Sequence, residues 1–301
     1  MARSRVDVER LLAGDRVAVA RAISVVENGE RESRALLGAV FSRTGRSYRI
    51  GITGPPGAGK STITSRLAEH YRRRGLGVGV IAVDPTSPFS GGALLGDRVR
   101  MADVESDDGV FIRSMASRGS LGGLSRKAVE AADVLDASGK EVIIMETVGV
   151  GQSELDIAGA ADTTVVVLVP ESGDSIQAMK AGLMEIADFF VLNKADRAGA
   201  DQAVMAIQMI LHFREPAAWT PSVVKSTAST GEGIEEIAAT IDAHRAHMEE
   251  RGGLLLKRRK RIARRIEEIV SETLNVDFWS RERRALLEGR MDAVMAMASS
   301  P

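Results

Sequence analysis

Three textures of hydrophobic spacing follow one another along the chain. Over residues 5–44, Val6, Leu11, Leu12, Val17, Val19, Ile23 and Val26 recur at three- and four-residue steps. After an interruption at Asn28-Gly29, a second piece carries Leu36, Leu37, Val40 and Phe41. That period is helical and predicts a helical extension over 1–46. From about residue 47, short apolar runs take over at 50–53, 78–83, 110–113, 142–145, 165–169, 189–192 and 222–224. Several are apolar at successive positions, as expected of parallel strands covered on both faces. Helical stretches at 61–74, 125–137, 201–213 and 234–247 separate them. This alternation predicts an α/β fold over 47–250, a doubly wound and mostly parallel sheet whose ligand lies at the carboxyl ends of the strands. Past Gly252-Gly253 the stretch 254–274 is long, helical and basic, with Ile262, Ile266, Ile269 and Val270 on one stripe. A last helix is expected over 281–297, so residues 251–301 read as a C-terminal helical arm.

Composition adds limits. The chain has 301 residues, 44% hydrophobic and 27% charged, ordinary values for a soluble globular protein. A net charge of −1 gives no bias toward nucleic acid or an anionic membrane. The basic run Lys257-Arg258-Arg259-Lys260-Arg261 stands out, yet almost no aromatics interleave to stack bases. It reads as the solvated face of a helix whose apolar stripe packs on the body or on a second subunit, and no nucleic-acid partner is expected. There is no cysteine, which excludes disulfides and thiolate metal sites and suits a reducing cytosol. The close pair His244 and His247 is expected on a helix surface rather than around a metal. The apolar run 163–169 is too short to span a bilayer, so a cytoplasmic location without membrane insertion is expected.

The chemistry starts where the first predicted strand ends. Gly54-Pro55-Pro56-Gly57-Ala58-Gly59-Lys60-Ser61-Thr62 matches G-x-x-x-x-G-K-[ST] between a strand and a helix. Its glycines permit tight turns that aim successive N–H groups and a helix N-terminus at phosphate oxygens. Lys60 would reach the β- and γ-phosphates, and the Ser61 hydroxyl would ligate Mg²⁺. Asn193-Lys194-Ala195-Asp196 follows another strand directly. In a phosphate-loop protein, N-K-x-D at a strand end reads guanine. The Asp196 carboxylate accepts from guanine N1–H and the exocyclic amine, Asn193 bonds the other edge, and the Lys194 stem covers a ring face. Adenine would leave that carboxylate unpaired, so GTP and GDP are the expected nucleotides. Thr227-Ala228-Ser229 resembles the loop whose backbone N–H meets the base's O6, with Thr227-Ala228 at the contacting positions. For Mg²⁺, Glu146 and Gly149 form E-x-x-G at the end of a strand where guanine-nucleotide switches usually carry D-x-x-G; a water-mediated contact by Glu146 suits it better than a direct one. Asp84, at a strand end, and Asp97, in a glycine-rich stretch, are further metal candidates.

These residues, with Val83-Asp84-Pro85-Thr86-Ser87, Gly92-Ala93-Leu94-Leu95-Gly96-Asp97-Arg98-Val99-Arg100-Met101 and Glu146-Thr147-Val148-Gly149-Val150-Gly151-Gln152-Ser153-Glu154, closely resemble the MeaB/ArgK family of GTPases, whose human member is the methylmalonic aciduria type A protein. The resemblance covers nearly the whole chain and makes Glu146 normal for the family. It implies a P-loop G domain of the class that includes signal-recognition and metal-chaperone GTPases, homodimerisation through the C-terminal helices, and slow intrinsic hydrolysis. It also implies chaperoning of an adenosylcobalamin-dependent acyl-CoA mutase, chiefly methylmalonyl-CoA mutase, by gating cofactor loading. Lys60, Asp97, Glu146 and Lys180 are the candidate catalytic residues, Lys180 coupling partner contact to the γ-phosphate. The segment 171–180 corresponds to an extra switch loop, in which Ala178 stands where the family more often has glycine. An older family label, a kinase or ATPase of lysine/arginine/ornithine transport, is opposed by the guanine-reading Asn193 and Asp196. A nickel metallochaperone would need Cys/His ligands that the chain lacks.

Overall fold

The computed structural model describes residues 6–29, 32–84, 106–116, 126–147, 153–172, 181–213, 218–278, 283 and 285–291. Three helices, α1 (Val8–Leu12), α2 (Arg16–Glu27) and α3 (Ser33–Val40), precede β1 (Tyr48–Thr53). Then follow α4 (Lys60–Arg73), β2 (Val78–Asp84), β3 (Val110–Ala116), α5 (Arg126–Ala137), β4 (Val142–Glu146), α6 (Ser153–Ala160), β5 (Thr163–Leu168), α7 (Ala181–Ile186), β6 (Phe189–Asn193), α8 (Ala200–His212), β7 (Val223–Ser226), α9 (Ile234–Glu250) and α10 (Gly253–Phe278). The strands form one seven-stranded sheet, ordered β3-β2-β4-β1-β5-β6-β7. Every pairing in it is parallel. All seven predicted apolar runs are strands, and β1, β4, β5 and β6 are buried at every position.

Alternate residues of one strand serve opposite layers. Ile50, Val80, Val142, Ile144, Val165 and Val167 pack under α4 and α9 with Ile63, Leu67, Tyr71, Ile237 and Ile241. Their neighbours Ile81, Val83, Ile143 and Met145 pack on the other face with Val19, Ile23 and Val26 of α2 and Ala128, Ala131 and Leu135 of α5. A third cluster joins Val166, Leu168, Phe190 and Leu192 to Ala203 and Ile207 of α8. The N-terminal helices thus cover one face of the sheet, although Val17 and Phe41, expected on their apolar stripes, are exposed. Helix α6 gave no sequence signal because its eight residues carry only Leu155 and Ile157 as large apolar positions; it approaches β1 so closely that a Cβ on Gly51 would lie 2.7 Å from Ile157 Cγ1.

The amino ends of the strands are held by buried polar groups. Asp136 accepts the backbone N–H groups of Gly45 at 2.7 Å and Ser47 at 3.0 Å, which fixes the entry into β1. Arg49, fully buried, pairs with Asp133 at 2.7 Å. Burial alone would lower the Arg49 pKa, but Asp133, Asp136 and Asp162 outweigh it and the guanidinium is held above its ordinary value.

His244 departs from the sequence expectation: it is buried, not on a surface. Its Nδ1 lies 2.8 Å from the Thr163 hydroxyl, which shares a hydrogen bond with Tyr48. Its Nε2 lies 3.4 Å from Asp188, and Trp219 packs edge-on against the ring. The turn of α9 bearing it faces β5, where polar atoms at the strand's start need partners. His244→Ala is expected to destabilise the protein by about 3 kcal/mol, through a cavity and the loss of a partner for Thr163 and Asp188. A denaturation midpoint unchanged from wild type would refute that role.

The chain divides into two compact units after Leu254. In the second, α10 exposes Ile262, Ile266, Val270 and Leu274 at four-residue steps. Among the described residues no helix is long and apolar enough to cross a membrane.

Candidate functional site

The predicted phosphate- and base-reading residues meet at the carboxyl ends of β1, β4, β6 and β7. Gly54 to Gly59 form the loop from β1 into α4, with positive φ at Gly54, Gly57 and Gly59. Gly59, at φ +91°, opens α4, and a Cβ there would lie 2.2 Å from Asn193 Nδ2. No residue but glycine fits both the conformation and the approach. Within the loop Ala58 is buried, Pro55 half-buried, and Pro56, Gly57 and the following Thr62 are exposed. The first turn of α4 points the positive end of the helix at the loop, an arrangement that suits an anion.

Lys60 is buried and folds over the loop, its Nζ donating to Gly54 O at 2.9 Å and Pro55 O at 3.0 Å. These carbonyls hold the ammonium where phosphate oxygens can replace them, so exchange would leave no unpaired buried charge.

Ser61 donates to Glu146 Oε1 at 2.7 Å, and Thr64 donates to Oε2 at 2.9 Å. β4 runs beside β1 with Ile52 opposite Glu146, which brings the acid under the start of α4. A serine hydroxyl has one proton and two lone pairs. With the proton committed to Glu146, Ser61 can offer a lone pair to a hard cation. Among the described residues no cluster of three or more His, Asp or Glu could hold a metal alone. Thr64 lies outside the phosphate-loop motif and carried no sequence signal.

Asn193 ties three segments together. Its Nδ2 donates to Ala58 O of the phosphate loop at 2.8 Å, and its Oδ1 accepts from Ala228 N at 3.1 Å. Lys194 adopts the left-handed conformation, φ +58°, and its Nζ donates to Gly57 O at 2.8 Å. Asp196 is exposed at the turn beyond β6. The N–H groups of Thr227 and Ala228 bond Glu232 O at 3.0 Å and Asn193 Oδ1. Both amides serve to build the loop that the sequence motif identified, and the exposed Ser229 follows them. Asp97, Gly149 and Lys180 lie outside the described residues, as does the side chain of Asp84, whose backbone ends β2.

The family model for the methylmalonyl-CoA mutase-associated GTPase MeaB matches residues 19–283. A Pyrococcus horikoshii protein named as a GTPase is 51% identical over 88% of this chain and 84% of its own. The mouse mitochondrial homologue of the methylmalonic aciduria type A protein is 36% identical over 82% of this chain and 64% of its own. The crystal structure of the LAO/AO transport system kinase superposes with a TM-score of 0.75 at 31% identity, covering 98% of this chain and 92% of that one.

Proposed function

Because the chain belongs to the MeaB family of GTPases, we propose that its GTP cycle times the chaperoning of an adenosylcobalamin-dependent acyl-CoA mutase, methylmalonyl-CoA mutase first among them. The observation that carries the nucleotide part is the Asn193 tie, which joins the phosphate loop to the base loop across 2.8 and 3.1 Å. The mutase part is supported by the description of the family and by the mouse relative's name.

In this reading the loop amides of Gly54–Thr62 hold the phosphates, and Lys60 exchanges Gly54 and Pro55 carbonyls for β- and γ-phosphate oxygens. Mg²⁺, held by Ser61 with Glu146 behind it, supplies charge neutralisation at those oxygens when bound. Asp196 reads N1–H and the exocyclic amine of guanine, Lys194 covers the ring, and the Thr227-Ala228-Ser229 loop meets O6. Asp84, Asp97, Gly149 and Lys180 complete the proposed site from its switch segments. Gln152 stands three residues past Gly149, not beside it, so the chain's own water-orienting group is poorly supplied and a slow basal rate follows. The exposed stripe on α10 supports homodimerisation through the C-terminal arm. Adenine-nucleotide kinase chemistry is disfavoured by Asn193 and Asp196. Nickel delivery is disfavoured by a chain without cysteine.

The test measures GTP turnover and cobalamin loading with and without the mutase. Turnover is expected to rise when the mutase is added, and equal rates would remove the activation claim. Lys60→Ala is expected to abolish nucleotide binding and the mutase effect together. Loading that survived this substitution would mean a passive scaffold.

A further inference from the structure

Thr64 sits one helical step beyond the phosphate loop, on the same face of α4 as Ser61. It is fully buried, and Glu146 is nearly so. A threonine inside a helix ordinarily returns its hydroxyl to the carbonyl four residues back, here that of Lys60. Thr64 instead crosses to the neighbouring strand and donates to Glu146 Oε2 at 2.9 Å, while Ser61 donates to Oε1 at 2.7 Å. One carboxylate is therefore gripped at both oxygens by two hydroxyls of one helix face.

The two bonds have different consequences. The Ser61 bond fixes where that hydroxyl's proton points, and so which lone pairs face a cation. The Thr64 bond fixes the carboxylate plane. A Glu146 turned to ligate a cation directly would forfeit the Thr64 bond and send that hydroxyl back to the Lys60 carbonyl, a bond that leaves the carboxylate unheld.

We infer that Thr64 is a positioning residue for the cation site: by holding Oε2 it keeps Glu146 as the acceptor of the Ser61 proton, behind the cation rather than on it. This rests on the guanine-nucleotide reading of the site. Thr64 itself touches neither phosphate nor metal, and it acts through Glu146 and Ser61. Partners of this kind typically change metal affinity by about 10- to 100-fold when removed.

The test uses the full chain and binding alone, without turnover. GDP affinity is measured by titration in excess Mg²⁺ and in EDTA, and the half-saturating Mg²⁺ concentration is found with GDP bound. Thr64→Val keeps the shape and removes the hydroxyl. It is expected to raise the half-saturating Mg²⁺ concentration about tenfold, with GDP affinity in EDTA unchanged. Thr64→Ser is expected to restore the wild-type value, and Thr64→Ala to repeat the valine result with less crowding. A wild-type Mg²⁺ requirement in both Thr64→Val and Thr64→Ala would overturn the assignment. So would an equal loss of GDP affinity with and without Mg²⁺, which would show a purely structural role. Wild-type protein that bound no GDP at all would remove the nucleotide reading itself, and this inference with it.

Discussion

Asp196→Asn is expected to exchange the base specificity of the protein. The carboxylate at 196 offers two acceptors to guanine's two donors, N1–H and the exocyclic amine. An amide offers one acceptor and one donor, so one bond is lost and a donor is set against a donor. Losing charge-assisted bonds of this kind costs about 4 kcal/mol, or roughly 10³-fold in affinity for GDP. Xanthine carries a carbonyl where guanine carries the amine, and the new amide matches it. Xanthosine diphosphate should therefore bind the variant more tightly than GDP does. Asp196 is exposed at a turn, so stability should hardly change. Calorimetric titration with both nucleotides checks this, and a GDP affinity equal to wild type would remove Asp196 from the base site.

The second large effect is expected at Gly59. Alanine there incurs about 1–2 kcal/mol for a left-handed backbone. Its Cβ would also fall 2.2 Å from Asn193 Nδ2. Asn193 must then move, and its bonds to Ala58 O and Ala228 N go with it. The phosphate loop and the base loop would lose their shared anchor. We expect roughly 10²-fold or greater loss of GDP affinity together with about 3 kcal/mol of stability. Gly57→Ala supplies the comparison. Gly57 also has positive φ, +74°, yet a Cβ there meets nothing within 4 Å. It should show the backbone cost alone. If the two variants lost GDP affinity equally, the collision with Asn193 would not be what couples the loops.

The strands were legible because burial on both faces leaves uninterrupted apolar runs such as Val142-Ile143-Ile144-Met145. Helices α6 and α7 were not, since eight and six residues leave little periodicity to read. His244 was misplaced because two histidines close together in a helix, without other ligands, read as surface. Only the fold shows that its turn meets Thr163 at the start of β5 and Asp188 just before β6.

The site divides in the same way. A contiguous motif carries its own geometry, since a glycine-rich loop between strand and helix can do little besides turn tightly and present amides to an anion. Gly54–Thr62 and Asn193–Asp196 therefore pointed to a guanine nucleotide, and the strings 83–87, 92–101 and 146–154 beside them to the family, from sequence alone. Bonds between distant segments carry no such local signature. Glu146 with Ser61 and Thr64, or Asn193 with Ala58 and Ala228, are separated by tens of residues and meet only because parallel strands bring their carboxyl ends together. The sequence determined which ligand the loop is built for. The tertiary structure decided how each polar group is spent: Ala228's amide on Asn193, and both oxygens of Glu146 on the helix that begins at Lys60.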